Sequence, residues 1–235
     1  MTIGPDIKEA IVEVGISYTI IRDSGNVTDN WLTAKQNEQV TKPFIREYFL
    51  EAQLTYDSPT LAGDIIELDT TGDRFIVMHF TPTLFENTII RYESVLYKTN
   101  VKVSILRPGE RRNPNSLVME TYWDIVIEDA DLLLTTPLFG QDLETDLELG
   151  QLGIQTHEIW CPSSYNFQLL DRIRVTQGVG VGDYWKAEAL RKYRFPECDV
   201  MKVSEDTRPT TTSSTTTTSS TTTSTISSTT TTTTA

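Results

Sequence analysis

Polar and apolar side chains alternate along much of the chain, most densely from Gly63 to Ser104. Ile90, Tyr92, Ser94 and Leu96 fall on one side of a period of two, and Arg91, Glu93, Val95 and Tyr97 on the other, which predicts a strand and not a helix. Gly63-Asp64 opens a short strand over Ile65–Leu68, Thr70–Asp73 is a Gly-containing turn, and Arg74–Phe80 is the return strand. With a further strand over Val101–Leu106, the stretch reads as a compact antiparallel meander.

The same pattern extends in both directions. Ile7, Ala10 and Ile11 follow Pro5-Asp6 at helical spacing and predict a one- or two-turn helix or arm at the N-terminus. Val14, Ile16, Tyr18 and Ile20 then share a strand face that ends at the Asp23-Ser24-Gly25-Asn26 turn. The polar stretch Asn30–Val40 reads as a long loop leading to Pro43, and Glu51–Tyr56 as the strand that enters the meander. Pro108, Gly109 and Pro114 within Arg107–Ser116 mark a domain boundary. Beyond it, strands are expected over Thr121–Ile127, Ile154–Cys161, Asp171–Val175, Tyr184–Leu190 and Val200–Ser204.

Short strings recur about a hundred residues apart. Asp64-Ile65-Ile66, Gly72-Asp73-Arg74-Phe75 and Lys102-Val103-Ser104 return in order as Asp171-Arg172-Ile173, Gly182-Asp183-Tyr184-Trp185 and Lys202-Val203-Ser204. Because strand register fixes which face is buried, a true repeat should place Asp64 on Asp171, Gly72-Asp73 on Gly182-Asp183 and Val103 on Val203. The expected fold is all-β, with two tandem small barrel or sandwich domains related by internal duplication. Residues 1–9 form an arm, 10–108 the first domain, 109–116 a linker, 117–206 the second domain and 207–235 a tail.

That tail changes how the composition reads. From Thr207 onward the chain is Thr and Ser apart from Arg208, Pro209, Ile226 and Ala235, so it dilutes the 38% apolar content of the whole. It offers no apolar set to offset the entropy of ordering, and it is expected to add nothing to the folding of the body. Arg208 is the only charged residue after Asp206, so the body carries the whole acidic balance behind the net charge of −13. Such a surface repels phosphate and argues against tight groove binding of nucleic acid, though not against DNA passing through an acidic lumen. Cys161 and Cys198 are too few for a disulfide scaffold; two reduced core thiols are expected, with a single bridge as the alternative. No run approaches 18 apolar residues and the first residues lack a secretory pattern, so the expectation is a soluble chain with no membrane partner.

Candidate chemistry is sparse. Gly178-Val179-Gly180-Val181-Gly182 lacks the following Lys-Ser/Thr and the helix of a phosphate loop, and reads as a hairpin loop. His157 and Cys161 share a strand face, with Cys198 in the same domain, but a fourth ligand and any C-x-x-C pair are missing for zinc. Nothing nearby in sequence would stabilise a thiolate, so both are read as packed core residues, as is His79. Asp142, Glu144, Asp146 and Glu148 alternate with Leu143, Thr145 and Leu147 so that on a strand they face one way, lack the Gly or spaced Glu of a calcium loop, and are expected to face solvent, a lumen or a subunit boundary. No G-x-S-x-G occurs. The sequence therefore predicts a non-enzyme with no catalytic, cofactor-binding or metal-ligating residues.

Several strings carry a family resemblance. Ile20-Ile21-Arg22-Asp23-Ser24-Gly25-Asn26, Thr41-Lys42-Pro43-Phe44-Ile45-Arg46-Glu47, Gly72–Met78 and Arg91–Lys98 resemble the head-closure or neck proteins of tailed bacteriophages, as does the stretch from Leu169 to Pro196. The resemblance implies a structural virion protein at the head–tail junction, made in the host cytoplasm. It would form a homo-oligomeric ring of six or twelve subunits between the portal or adaptor and the tail proteins. Packaged double-stranded DNA would pass through its lumen without sequence-specific binding. A tail terminator or adaptor of the same connector would look much alike. Outside that class stand an adhesin or binding module on a Thr/Ser stalk, and a small hydrolase built around His157 and Cys161.

Overall fold

The computed structural model describes residues 3–36, 48–112, 114, 115, 117, 119–135, 157–195 and 197–208. One helix, α1 (Ile3–Val14), precedes six strands: β1 (Ile16–Ile21), β2 (Val27–Gln36), β3 (Phe49–Thr55), β4 (Ile65–Leu68), β5 (Arg74–Phe85) and β6 (Thr88–Lys98). They close into a barrel in the order β1-β2-β3-β6-β5-β4. Six more follow: β7 (Val101–Arg112), β8 (Met119–Thr135), β9 (His157–Pro162), β10 (Arg172–Gly178), β11 (Tyr184–Phe195) and β12 (Cys198–Glu205). They close in the order β7-β8-β9-β12-β11-β10, the same circuit shifted by six strands.

Period-two burial places the cores. Tyr18 and Ile20 of β1, Leu32 of β2, Leu54 of β3 and Leu96 of β6 point into the first barrel and are 0% exposed. Val103, Ile105, Leu132, Ile159, Cys161 and Ile173 fill the second. Closure leaves neither barrel a continuous open sheet edge, which is how a small all-β unit avoids pairing with its neighbours along its whole length. α1 lies against β2, β3 and β6 and buries Ile11, so the predicted arm is a three-turn helix docked on the first barrel.

The repeat extends to register. β4 pairs with β5 through Ile65–Ile76, Ile66–Phe75 and Glu67–Arg74; β10 pairs with β11 through Arg172–Lys186, Ile173–Trp185 and Arg174–Tyr184. Asp64 and Asp171 thus occupy one position, as do Gly72-Asp73 and Gly182-Asp183. Each barrel has a bulge at the same place, between Val77 and His79 and between Ala187 and Ala189. Asp29 and Asp129 sit at equivalent points of β2 and β8, both with positive φ, 62° and 54°. The third expected pair is corrected: Val203 of β12 matches Leu96 of β6, whereas Val103 of β7 matches Tyr18 of β1. The identical tripeptides Lys102-Val103-Ser104 and Lys202-Val203-Ser204 are the first and last strands of a single barrel.

That assignment moves the domain boundary. The chain passes between barrels at Thr99-Asn100, not at 109–116, because Val101, Val103 and Ile105 of β7 are buried in the second core. Pro108 and Gly109 lie inside a long β7–β8 ribbon that overhangs the barrel. Pro108 faces Trp123 across the ribbon, and Gly109 leaves room for the Tyr122 ring, which a Cβ would meet at 2.7 Å. The predicted loop at Asn30–Val40 is likewise β2 as far as Gln36. Asn30 is buried, and its amide donates to the Val27 and Thr28 carbonyls at 3.0 and 3.1 Å, so a polar residue fits an inward position. Residues 37–47, the whole of 136–156, which holds most of the acidic segment, and the chain beyond Arg208 lie outside the described residues.

Candidate functional site

The two barrels are joined by a third apolar cluster. Ile65, Ile76 and Met78 from the outer face of the first barrel meet Leu133, Trp160, Cys198 and Val200 from the outer face of the second. Trp160 packs edge-on against Tyr97 at 5.3 Å and tilted against Phe195 at 5.3 Å. At the rim Arg74 donates to Glu67 of its own barrel at 2.7 Å and to Asp131 of the other at 2.6 Å. Asn100 exchanges two 2.8 Å hydrogen bonds with the Leu134 backbone. Apolar burial supplies most of the free energy here, and the ion pairs and amide bonds fix the angle. A cleft of about 500 Å³ lies beside Arg74, between Asp73, Lys102 and Gln177.

A second device occurs once per barrel. Arg22, just after β1, grips Asp64 with two parallel bonds of 2.8 and 2.5 Å, and its guanidinium also donates to the Pro59 carbonyl at 2.9 Å. The Leu61 amide donates to the same carboxylate at 2.7 Å. In the second barrel Arg107 grips Asp171 at 2.9 and 2.9 Å, reaches the Asn166 carbonyl at 3.0 Å, and the Gln168 amide completes the set at 2.9 Å. Each clamp pins the connection that enters the fourth strand of its barrel. The planar fork of arginine suits a carboxylate held in this way. Sequence reasoning missed the clamps, although Ile20-Ile21-Arg22 and Ile105-Leu106-Arg107 are close to a literal repeat.

A denser cluster lies under the β7–β8 ribbon. The Arg172 side chain is 1% exposed and that of its partner Asp206 0%, with Nε to carboxylate at 2.6 Å. Its guanidinium lies 4.2 Å from the Trp123 ring centre and 5.3 Å from that of Tyr184. Arg208 bonds to Asp206 at 2.8 Å and stands 4.9 Å from the Trp123 ring centre. Burial disfavours the ionised form of Asp206, but hydrogen bonds from Arg208 and Arg172 outweigh it and hold the carboxyl well below the usual range. The cluster fixes Arg208, the last of the described residues. At the opposite end of β12, paired with Cys161 of β9, Asp199 is buried with one carboxylate oxygen unpartnered, and burial pushes its pKa up.

The residues singled out from sequence do not converge. Gly178–Gly182 is the β10–β11 hairpin loop, with φ of 102°, 81° and 93° at its three glycines. His157 stacks edge-on to Trp185 at 4.7 Å, half-buried at a barrel end. Cys161 and Cys198 are free and buried, one inside the second barrel and the other in the seam. Burial raises both thiols, Cys198 up to about 12, so neither is a nucleophile at neutral pH. His79 departs from its core reading: the bulge after Val77 turns it outward, and it is exposed beside Glu51 and Glu93 in a concavity of about 580 Å³ on the first barrel. The row Asp142, Glu144, Asp146, Glu148 lies outside the described residues. Among the described residues no three His, Cys, Asp or Glu side chains gather to hold a metal, and no helix is long and apolar enough to cross a membrane. Comparison with family models, curated proteins and solved structures returns no match.

Proposed function

We propose that this protein is a structural subunit of a tailed-phage neck, assembling as a closed homomeric ring that seals the DNA-filled head and joins portal or adaptor to tail. The observation that carries this reading is the repeated small barrel: one chain places the same six-strand circuit twice and fastens the copies through an apolar seam into a rigid block. Rigid blocks with stapled connections suit a part whose work is contact and load, and closed cyclic symmetry is the economical way to make a collar from one chain. Two of the neck-like strings lie on these elements: Gly72–Met78 spans the β4–β5 turn and β5, and Arg91–Lys98 lies in β6, while Thr41–Glu47 falls outside the described residues.

Electrostatics supports the same reading. A net charge of −13 makes the surface as a whole repel the phosphate backbone, in keeping with a conduit that DNA passes through without being gripped. The test is copy number. Quantitative mass spectrometry of purified particles should find six or twelve chains per portal. A chain absent from particles, or present at hundreds of copies, would overturn the assignment.

A further inference from the structure

Barrel closure does not use the whole length of the strands in the second barrel. β9 pairs with β8 only over Leu133–Thr135, and among the described residues no strand lies against that side of Thr121–Glu128. β10 pairs with β11 only over Tyr184–Lys186, which leaves the same kind of edge along Glu188–Lys192. Two other overhanging edges are blocked: β7 carries Pro108 and β5 carries Pro82, and proline cannot donate to a ladder. Neither open edge contains proline or glycine.

The two edges differ in charge. Thr121–Glu128 presents exposed Asp124 and Glu128 with no basic residue, alongside exposed Ile125 and Val126. Glu188–Lys192 presents exposed Arg191 and Lys192, and its one acid, exposed Glu188, is taken up by Ser204 and Lys186 of its own barrel. In the circuit β7-β8-β9-β12-β11-β10 the two strands lie three places apart, on opposite sides of the barrel. β7 and β11 both run antiparallel to β10, so β8 and β11 run in opposite directions. Under a rotation that keeps barrel axes aligned, β8 of one copy therefore meets β11 of the next in antiparallel register. The seam to the first barrel uses the outer faces of Leu133, Trp160 and Val200 and takes up neither edge.

We infer that the edge of β8 over Thr121–Glu128 is the docking site for β11, Glu188–Lys192, of a second copy of this chain, so that the sheet of the second barrel continues head-to-tail from subunit to subunit. This names the contact surface of the proposed ring and rests on that reading. Main-chain hydrogen bonds supply affinity, the acidic-to-basic pairing supplies direction, and two unlike edges give a heterologous contact that can close.

Sedimentation velocity of the full chain tests it. Asp124→Lys with Glu128→Lys should raise the concentration needed for assembly at least tenfold, and Arg191→Glu with Lys192→Glu should do the same. The chain carrying all four reversals should assemble again, which a fold damaged at either edge would not allow. If the reversed chains assemble like the wild type, or if the fourfold variant stays dissociated, the edge pairing is wrong while the ring stands. A wild-type chain that remains a monomer at every concentration overturns the ring and this contact with it.

Discussion

Asp206 shows how much can rest on one side chain. It is the common acceptor for Arg172 and Arg208, its side chain fully buried, and its replacement would leave the buried Arg172 cation without a carboxylate partner. Breaking such a pair from one side costs about 3–5 kcal/mol, far more than the pair adds relative to an apolar substitute. Asp206→Asn should lower unfolding free energy by that amount in urea at neutral pH. Because the folded carboxyl is held below its ordinary value, its stabilisation is complete above the unfolded pKa and is lost progressively as pH falls below that value towards the depressed folded one. The difference between wild type and Asp206→Asn should therefore narrow on acidification. A gap that is constant with pH would mean that packing, and not charge, carries the effect.

At the scale of elements, two glycines in equivalent conformations separate backbone freedom from close approach. Gly72 has φ 71° with nothing within 4 Å of an added Cβ, whereas Gly63 has φ 86° and a Cβ there would lie 2.7 Å from the Glu197 carbonyl oxygen across the seam. Gly72→Ala should cost about 1 kcal/mol from the left-handed conformation alone. Gly63→Ala should cost clearly more, since the barrels must also part; equal losses in thermal melts would contradict the seam geometry. The strands themselves were legible because alternation is a local property: Ile65–Leu68 is β4 as the pattern predicts, and Arg74–Phe80 is the first part of β5. What escaped was non-local. β2 looked like a loop because Asn30, Lys35 and Gln36 are polar, and only the partner strands show that Leu32 points inward. Identical Lys-Val-Ser tripeptides suggested an equivalence that the pairing of β7 with β10 rules out.

The whole molecule behaves as one unit if the seam is as substantial as its composition implies. Trp160 lies at its centre, 9% exposed between Tyr97 and Phe195. Trp160→Ala should cost about 3–5 kcal/mol, as large-to-small changes at buried aromatics do. Denaturation followed by circular dichroism should then split from one transition into two as the barrels uncouple. A single, merely shifted transition would show that the barrels are coupled elsewhere. Neither seam nor clamps are local features of the sequence: the clamps join residues 42 and 64 positions apart, the seam joins strands of different barrels, and the order of strands around a barrel leaves no local signal.

The central claim is that this two-barrel block closes on copies of itself, and the mass of the purified chain in native buffer tests it most directly. Native mass spectrometry across a range of concentrations should give one discrete species at six or twelve times 26.5 kDa, with no ladder of intermediate sizes. A single species at 26.5 kDa, or an open series of sizes without a closed limit, would contradict it.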